Sequence, residues 1–311
     1  MDELVSALNS TSPFQDGMTF TKTIHKDPYS AILPSRPELS QTGRTILITG
    51  GSAGIGLAIA ESFAQAGAKR IIILGRRQHK VEDSVRKLEK EYGHKNVQFS
   101  GFSSDVNDLE KNEKLWKDFE EDGTVIDVLV LNAAKMFPAS SILALGTDEV
   151  WDGFTTNVRA LLDHSGRFYK QKNSKGQQKF LINVTSEGIH NFHKSGPYPA
   201  YSASKNAGTL LIQLIAKDTS PEDMQVLNFH PGLVRTDPFI NAGVPEDFFE
   251  FDNVTLAGNF AVWAASEEAR FLHGRFVWAK WDVEELKQGE IAEKIRNNDH
   301  YLKVGVVGLH E

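Results

Sequence analysis

Apolar and polar positions fall into repeating blocks along most of this chain. Five short apolar runs stand out: Arg44-Thr45-Ile46-Leu47-Ile48, Arg70-Ile71-Ile72-Ile73-Leu74, Ile126-Asp127-Val128-Leu129-Val130-Leu131, Lys179-Phe180-Leu181-Ile182-Asn183-Val184 and Gln225-Val226-Leu227-Asn228-Phe229. Runs of this length, rich in β-branched residues, predict buried strands. An alternating stretch over 97–102 predicts another, and Val277-Trp278 marks a last one near 275–279. Helical spacing fills the gaps. It covers 57–66, ending at Gly67 as a C-cap, and a charged stretch over about 79–92. A further helix, capped by Asn107 or Asp108, runs to about 122, and another covers about 201–217. The stretch over about 147–172 carries Trp151, Phe154, Val158, Leu161, Leu162 and Phe168 roughly on one side. Strand and helix alternate throughout, which predicts an α/β fold: a doubly wound, Rossmann-type parallel sheet of about seven strands with helices on both faces. Right-handed crossovers place all strand C-terminal ends along one edge, where such sheets bind ligands. Residues 50–56, Gly75-Arg76, Ser104-Asp105, Asn132, Ser186 and Pro231-Gly232 should therefore line one crevice.

The pattern divides the chain into an N-terminal extension (1–42), a central domain (43–280) and a C-terminal extension (281–311). Asp27-Pro28 and Leu33-Pro34-Ser35-Arg36-Pro37 interrupt any helix in the first. It reads either as a partly disordered tail or as an ordered arm that buries Phe14, Met18, Phe20, Tyr29, Ile32 and Leu33. Residues 284–296 predict a mixed-charge helix, followed by the short apolar run Val304-Gly305-Val306-Val307-Gly308.

Composition narrows the function classes. The 311 residues carry a net charge of −7, so no global basic field attracts nucleic acid. No cysteine is present, which excludes disulfides, cysteine-ligated zinc and a thiol nucleophile. No apolar run approaches membrane-spanning length and the N-terminus lacks a secretory pattern, so a cytoplasmic protein is expected. His190 and His193 have the spacing of a ligand pair but no carboxylate partner, and no metal is expected.

Two stretches carry chemistry. Thr49-Gly50-Gly51-Ser52-Ala53-Gly54-Ile55-Gly56 joins the first predicted strand to the first helix. Glycines there allow unusual backbone angles and close approach of a ligand, and the helix start attracts phosphate. The spacing is G-x-x-x-G-x-G rather than G-x-G-x-x-G. In Tyr201-Ser202-Ala203-Ser204-Lys205, the tyrosine and lysine share one helical face. A nearby ammonium favours phenolate, which would lower the tyrosine pKa towards the range of acid–base work.

With Asn132-Ala133-Ala134, Asn157, Val184-Thr185-Ser186 and Pro231-Gly232-Leu233-Val234-Arg235-Thr236 in the same order, the chain resembles a short-chain dehydrogenase/reductase over roughly 43–279. Its proline-rich entry and composition resemble fungal members associated with secondary metabolism. The resemblance implies a single NAD(P)-binding catalytic domain. It implies Tyr201 as general acid or base and Ser186 as a hydrogen-bond donor to the substrate oxygen. It makes Lys205 the residue that lowers the Tyr201 pKa and holds the nicotinamide ribose, and Asn157 the anchor of a water in a proton relay. The implied cofactor contacts are Gly50, Ser52, Gly54, Ile55, Gly56, Arg76, Arg77, Asp105, Val106, Asn132, Ala133, Tyr201, Lys205, Pro231, Gly232, Val234 and Thr236. Leu131 and Ala134 depart from the family's Asn-Asn-Ala-Gly, and the segment 187–199 is longer than is common.

Gly75, Arg76 and Arg77 stand about nineteen residues past Gly56, where an acidic residue would read the adenine ribose. A guanidinium there suits a 2′-phosphate, so NADP(H) is expected, with NAD(H) the runner-up. The substrate is a small molecule, and its pocket draws on Met136, Phe137, residues 190–193 and the aromatic stretch 239–251. That stretch is either a lid over a bulky apolar substrate or a helix packed onto the core. The resulting expectation is an NADP(H)-dependent oxidoreductase acting on a ketone or secondary alcohol. A cofactor-binding protein without redox activity, or cyclisation or dehydration on the same scaffold, remains the alternative. The family commonly forms dimers or tetramers through 147–172 and 201–217, although the extensions could cover those faces in a monomer.

Overall fold

All seven predicted strands form, and all run parallel in a single sheet. The computed structural model describes residues 17–171, 177–191, 195–196, 198–241 and 243–306. The strands are β1 (Thr45–Thr49), β2 (Arg70–Gly75), β3 (Gln98–Ser103), β4 (Val128–Leu131), β5 (Lys179–Val184), β6 (Met224–His230) and β7 (Phe276–Trp278). They lie in the order β3-β2-β1-β4-β5-β6-β7. Ile46 pairs with Ile71 on one side and Val128 on the other, so β1 is fully interior. Both faces are covered, which is why β1, β4 and β5 are buried along their whole length. The chain direction across the sheet reverses between β1 and β4, which opens a crevice at their C-terminal ends.

One face carries α1 (Gly54–Gln65), α2 (Gln78–Tyr92) and α8 (Val254–Ala264); the other carries α3 (Leu109–Glu121), α5 (Ala160–Lys170) and α6 (Pro199–Lys217), with α4 (Ile142–Phe154) packed on α6. The Asp108 carboxylate caps α3 by accepting from the Lys111 N–H at 3.0 Å. α1 and α8 nearly touch, because a Cβ on Gly258 would lie 2.6 Å from the Ala58 carbonyl oxygen. A short α7 (Asp237–Asn241) follows β6, and α9 (Val283–Leu286) and α10 (Gly289–Asn297) follow β7. No helix among the described residues is long and apolar enough to cross a membrane.

The stretch read as one helix over 147–172 is different. It starts at Ile142, kinks at Gly146 (φ +78°) and passes through a π turn at Thr155–Arg159 before α5. A π turn adds a residue to one turn and shifts the phase by about 100°. The expected apolar side splits: Trp151, before the turn, is exposed, while Leu161 and Phe168, after it, are buried and Leu162 lies off their stripe.

Residues 17–40 form an ordered arm on their own body. Phe20 stacks on Trp281 at 4.1 Å, and Ile32 and Leu39 are fully buried. The Tyr29 hydroxyl donates to the Trp281 carbonyl at 3.0 Å, and Glu285 accepts from the Lys22 and Thr23 N–H groups at 2.7 and 3.0 Å. Arm and C-terminal extension thus cover the same side. Phe14, Val307 and Gly308 lie outside the described residues, as does the side chain of Met18.

Candidate active site

The glycine turn opens the crevice. Gly50 and Gly54 hold φ of +65° and +51°, which an L side chain rarely adopts. A Cβ on Gly56 would lie 2.2 Å from the Gly50 carbonyl oxygen, so only glycine lets α1 start this close to the turn. Ala53, the N-cap of α1, offers no side-chain cap, and the first N–H groups of the helix are left for an anion. Thr49, which sequence reasoning did not single out, laces this turn to β4. Its Oγ1 accepts from the N–H groups of Asn132 (3.0 Å) and Ala133 (3.1 Å). Asn132 Nδ2 in return donates to the carbonyls of Thr49 and Gly50, both at 3.1 Å. The readable signal was a polar residue closing an apolar strand just before the glycines. Leu131, in place of the family's first asparagine, is buried in the apolar core.

A cleft of about 830 Å³ runs along this edge. Every candidate nucleotide and catalytic residue named above lines it except Gly56 and Asn157. Ser186 follows β5, and its Oγ accepts from the Gly188 N–H at 3.2 Å, so the hydroxyl hydrogen stays available to a substrate oxygen. Tyr201 and Lys205 sit on the first turns of α6. Lys205 is buried and its Nζ donates to the Val184 carbonyl at 2.7 Å. The sequence predicted a lowered Tyr201 pKa. The protein groups do the opposite: burial pushes the phenol up to about 12 and the Lys205 ammonium down to about 8.

Asn157 lies in the π turn, one layer behind the cleft and fully buried. Its Oδ1 accepts from the Lys135 N–H at 2.8 Å, and its Nδ2 donates to the Lys135 carbonyl and to Ser204 Oγ, both at 2.9 Å. Ser204 Oγ donates in turn to the Tyr201 carbonyl at 2.9 Å. Its side chain thus braces the backbone that carries the cleft residues, rather than facing the cleft. The π turn supplies the local widening, and Gly208 on α6 has no Cβ because one would lie 2.4 Å from the Asn157 carbonyl oxygen.

At the adenine end, the two arginines differ. Arg77 Nη2 and Lys80 Nζ hold the Asp237 carboxylate at 3.2 and 3.0 Å. Arg76 is exposed, lines the cleft, and forms no ion pair among the described residues. Asp105 Oδ1 accepts from the Asn107 N–H at 2.9 Å, and the buried Val106 lines the cleft beside it.

At the other end, the segment after β6 leaves the fold at Leu233 and comes back beside it at Asp252, just before α8. This neck is closed twice: Leu233 N–H to Asp252 Oδ2 at 2.7 Å, and Asp252 N–H to the Leu233 carbonyl at 2.8 Å. Lys280 Nζ pairs with the Asp252 carboxylate at 2.9 Å, and both side chains are buried. Between the two ends, no helix follows α7 among the described residues before α8, and Val244 is buried. Phe239, Phe248, Phe249 and Phe251 pack edge-on into one another, with centroids 4.7 to 6.3 Å apart, and Phe239 and Val244 face the cleft. Met136 also lines the cleft, whereas Phe137 is buried under Gly153. His190 packs on Phe276 and Trp278, and His193 lies outside the described residues.

A strand-to-helix glycine turn at the reversal point of a parallel sheet, with a Ser-Tyr-Lys wall facing it, defines a nicotinamide-dependent oxidoreductase of Rossmann type. The chain belongs to the short chain dehydrogenase family, whose model matches residues 44–245. Among curated relatives, the short chain dehydrogenase/reductase nsrO of Aspergillus novofumigatus is 32% identical over 92% of this chain and 96% of its own length. A short chain dehydrogenase/reductase of Claviceps purpurea is 31% identical over 98% of this chain and its full length. Solved structures share the fold. The Pseudomonas aeruginosa RhlG/NADP complex matches with a TM-score of 0.69 at 21% identity, over 78% of this chain and 97% of that one. The Gluconobacter frateurii L-sorbose reductase, complexed with NADPH and L-sorbose, gives 0.69 at 22% identity, over 78% and 96%.

Proposed function

We propose that this enzyme uses NADP(H) to move a hydride between nicotinamide and a ketone or secondary alcohol of a bulky apolar small molecule. The observation that carries the reading is the shared cleft: Ser186, Tyr201 and Lys205 line it together with Arg76, which forms no ion pair among the described residues. The residues fit the dinucleotide. A Cβ would fill the cradle at Gly56, the α1 N-terminus is uncapped, and no carboxylate replaces Arg76 at the end of β2. A bound nicotinamide would supply or accept the hydride. The protein's own part is to present the Ser186 and Tyr201 hydroxyls to the substrate oxygen, the tyrosine giving up its proton as that oxygen gains charge. The NADP and NADPH complexes among the structural relatives support the cofactor choice, and the fungal relatives support a place in secondary metabolism. The exposed Leu210 and Leu214, one turn apart on α6, with Leu162 on α5, support a homodimer through that face.

The test is thermal: the protein is melted with NADPH and with NADH. A ligand that binds only the folded form stabilises by RT ln(1 + [L]/Kd), so a tenfold preference is worth about 1.4 kcal/mol at saturation. NADPH should give the larger shift, and Arg76→Ala should weaken NADPH about tenfold or more while leaving NADH nearly unchanged. A larger NADH shift makes NAD(H) the cofactor. Binding of both without hydride transfer to any ketone tried would favour the non-redox alternative.

The aromatic cluster gives a separate expectation. Replacing Phe248 and Phe249 with alanine should raise KM for an apolar ketone about tenfold or more, since these rings back Phe239, which lines the cleft. The nucleotide melting shift should not change. If both are lost together, the variant has misfolded and the cluster is a packing element, not a lid.

A further inference from the structure

We propose that Asp237 is a built-in competitor for the nucleotide's 2′-phosphate, and that it ties occupancy of the phosphate site to the position of the aromatic segment. This rests on the NADP(H) reading and extends it to a residue on the segment that follows β6.

The geometry is a bridge across the mouth of the cleft. Arg77 is the N-cap of α2 and Lys80 lies in its first turn. Asp237 begins α7, on the segment that follows β6. One carboxylate oxygen meets both cations, at 3.2 and 3.0 Å. Thr236, just before it, passes over the glycine turn: its Cγ2 lies 3.2 Å from where a Cβ of Gly54 would be. The two cations hold the Asp237 carboxyl below the usual carboxylate range.

Charge makes the bridge exchangeable. All three side chains are partly exposed, at 51% for Arg77, 35% for Lys80 and 39% for Asp237, so the pairs are screened and individually weak. A ribose 2′-phosphate brings nearly two negative charges and three acceptor oxygens to the same cations and to Arg76. The α2 N-terminus, whose N-cap makes no side-chain cap hydrogen bond, adds its own attraction for an anion. A carboxylate and a phosphate cannot share these cations without mutual repulsion, so the phosphate displaces Asp237. NADH has no such group and leaves the bridge intact. Once released, Asp237 no longer ties α7 to the adenine rim. The segment is then held by its neck at Leu233 and Asp252, and Phe239 and its aromatic partners can adjust to a substrate. NADPH is thereby distinguished from NADH twice, once at Arg76 and once by what it releases.

The experiment is binding of NADPH and NADH, followed by nucleotide fluorescence, to the full-length protein, its Asp237→Asn and Asp237→Glu variants, at low and high salt. With the competitor neutralised, Asp237→Asn should bind NADPH about three- to tenfold more tightly, the worth of one or two exposed ion pairs. Its NADH affinity should change less than about twofold, and its NADPH affinity should fall more steeply with salt. Asp237→Glu should return towards wild type. If the wild type prefers NADPH but Asp237→Asn leaves the NADPH to NADH ratio unchanged, or weakens both nucleotides alike, the competitor role is wrong and the cofactor reading stands. If the wild type shows no preference for NADPH, both fall together.

Discussion

Tyr201→Phe is expected to lower turnover by about two to four orders of magnitude, the usual worth of a positioned proton donor, while the melting shift with nucleotide stays as in the wild type. The variant removes one oxygen from the cleft wall and keeps the ring. The phenol is buried enough to sit near 12, so around neutral pH it carries its proton. That suits it to give a proton to a carbonyl oxygen that is gaining charge. Ser186 cannot replace it, because a serine hydroxyl donates a hydrogen bond but does not readily give up its proton. Losing the phenol should therefore reduce kcat far more than it changes KM, which is the sign of an interaction made mainly in the transition state. A Tyr201→Phe protein that keeps more than about a tenth of wild-type kcat would move the proton-transfer role elsewhere in the cleft.

The residues proposed for this chemistry were legible because each occupies a local sequence context. A glycine turn between an apolar strand and a helix can be read from its local context, whereas a tyrosine and lysine one helical turn apart gain meaning only with Asn157 and Ser186 in the family's order. What spacing cannot show is contact made by a returning chain. Asp237 meets Lys80 across 157 positions, and Lys280 meets Asp252 from beyond β7. Neither acid carries a motif. The same holds for the arm: Phe20 and Tyr29 read as candidates for burial, but their partner, Trp281, lies 261 and 252 positions away. The error over 147–172 has a different origin. Periodicity assumes one helix with one phase, and the π turn at Thr155–Arg159 breaks it. That turn places Asn157 against Ser204 and Lys135, so the departure from regularity lies where the cleft is braced. The pKa expectation missed its sign because it counted the charge of Lys205 and omitted the burial of both groups.

Lys205→Met should abolish turnover and at the same time raise stability, with a pH dependence that identifies the cause. The ammonium is buried, and its Nζ donates to the Val184 carbonyl. Burial lowers its pKa from 10.5 to about 8 in the folded protein. Below about pH 8 the group is protonated in both states, and the folded protein bears the full cost of a buried charge, roughly 3 kcal/mol. Between about 8 and 10.5 the unfolded chain holds a proton that the folded protein has released, so wild-type stability rises with pH. Above that window both states are neutral and the cost is gone. The methionine variant never bears it. Urea unfolding should find Lys205→Met more stable than wild type by about 1–3 kcal/mol near pH 7, once the lost Val184 hydrogen bond is allowed for. That advantage should shrink towards zero by about pH 10 as the wild-type lysine deprotonates. Taking the difference between the two proteins cancels every other titrating group. An advantage that stays constant from pH 7 to pH 10 would mean that packing, not charge, separates them. An advantage that follows the lysine shows a site holding a charge that folding alone disfavours, as expected of a group kept for its reaction rather than for its fold.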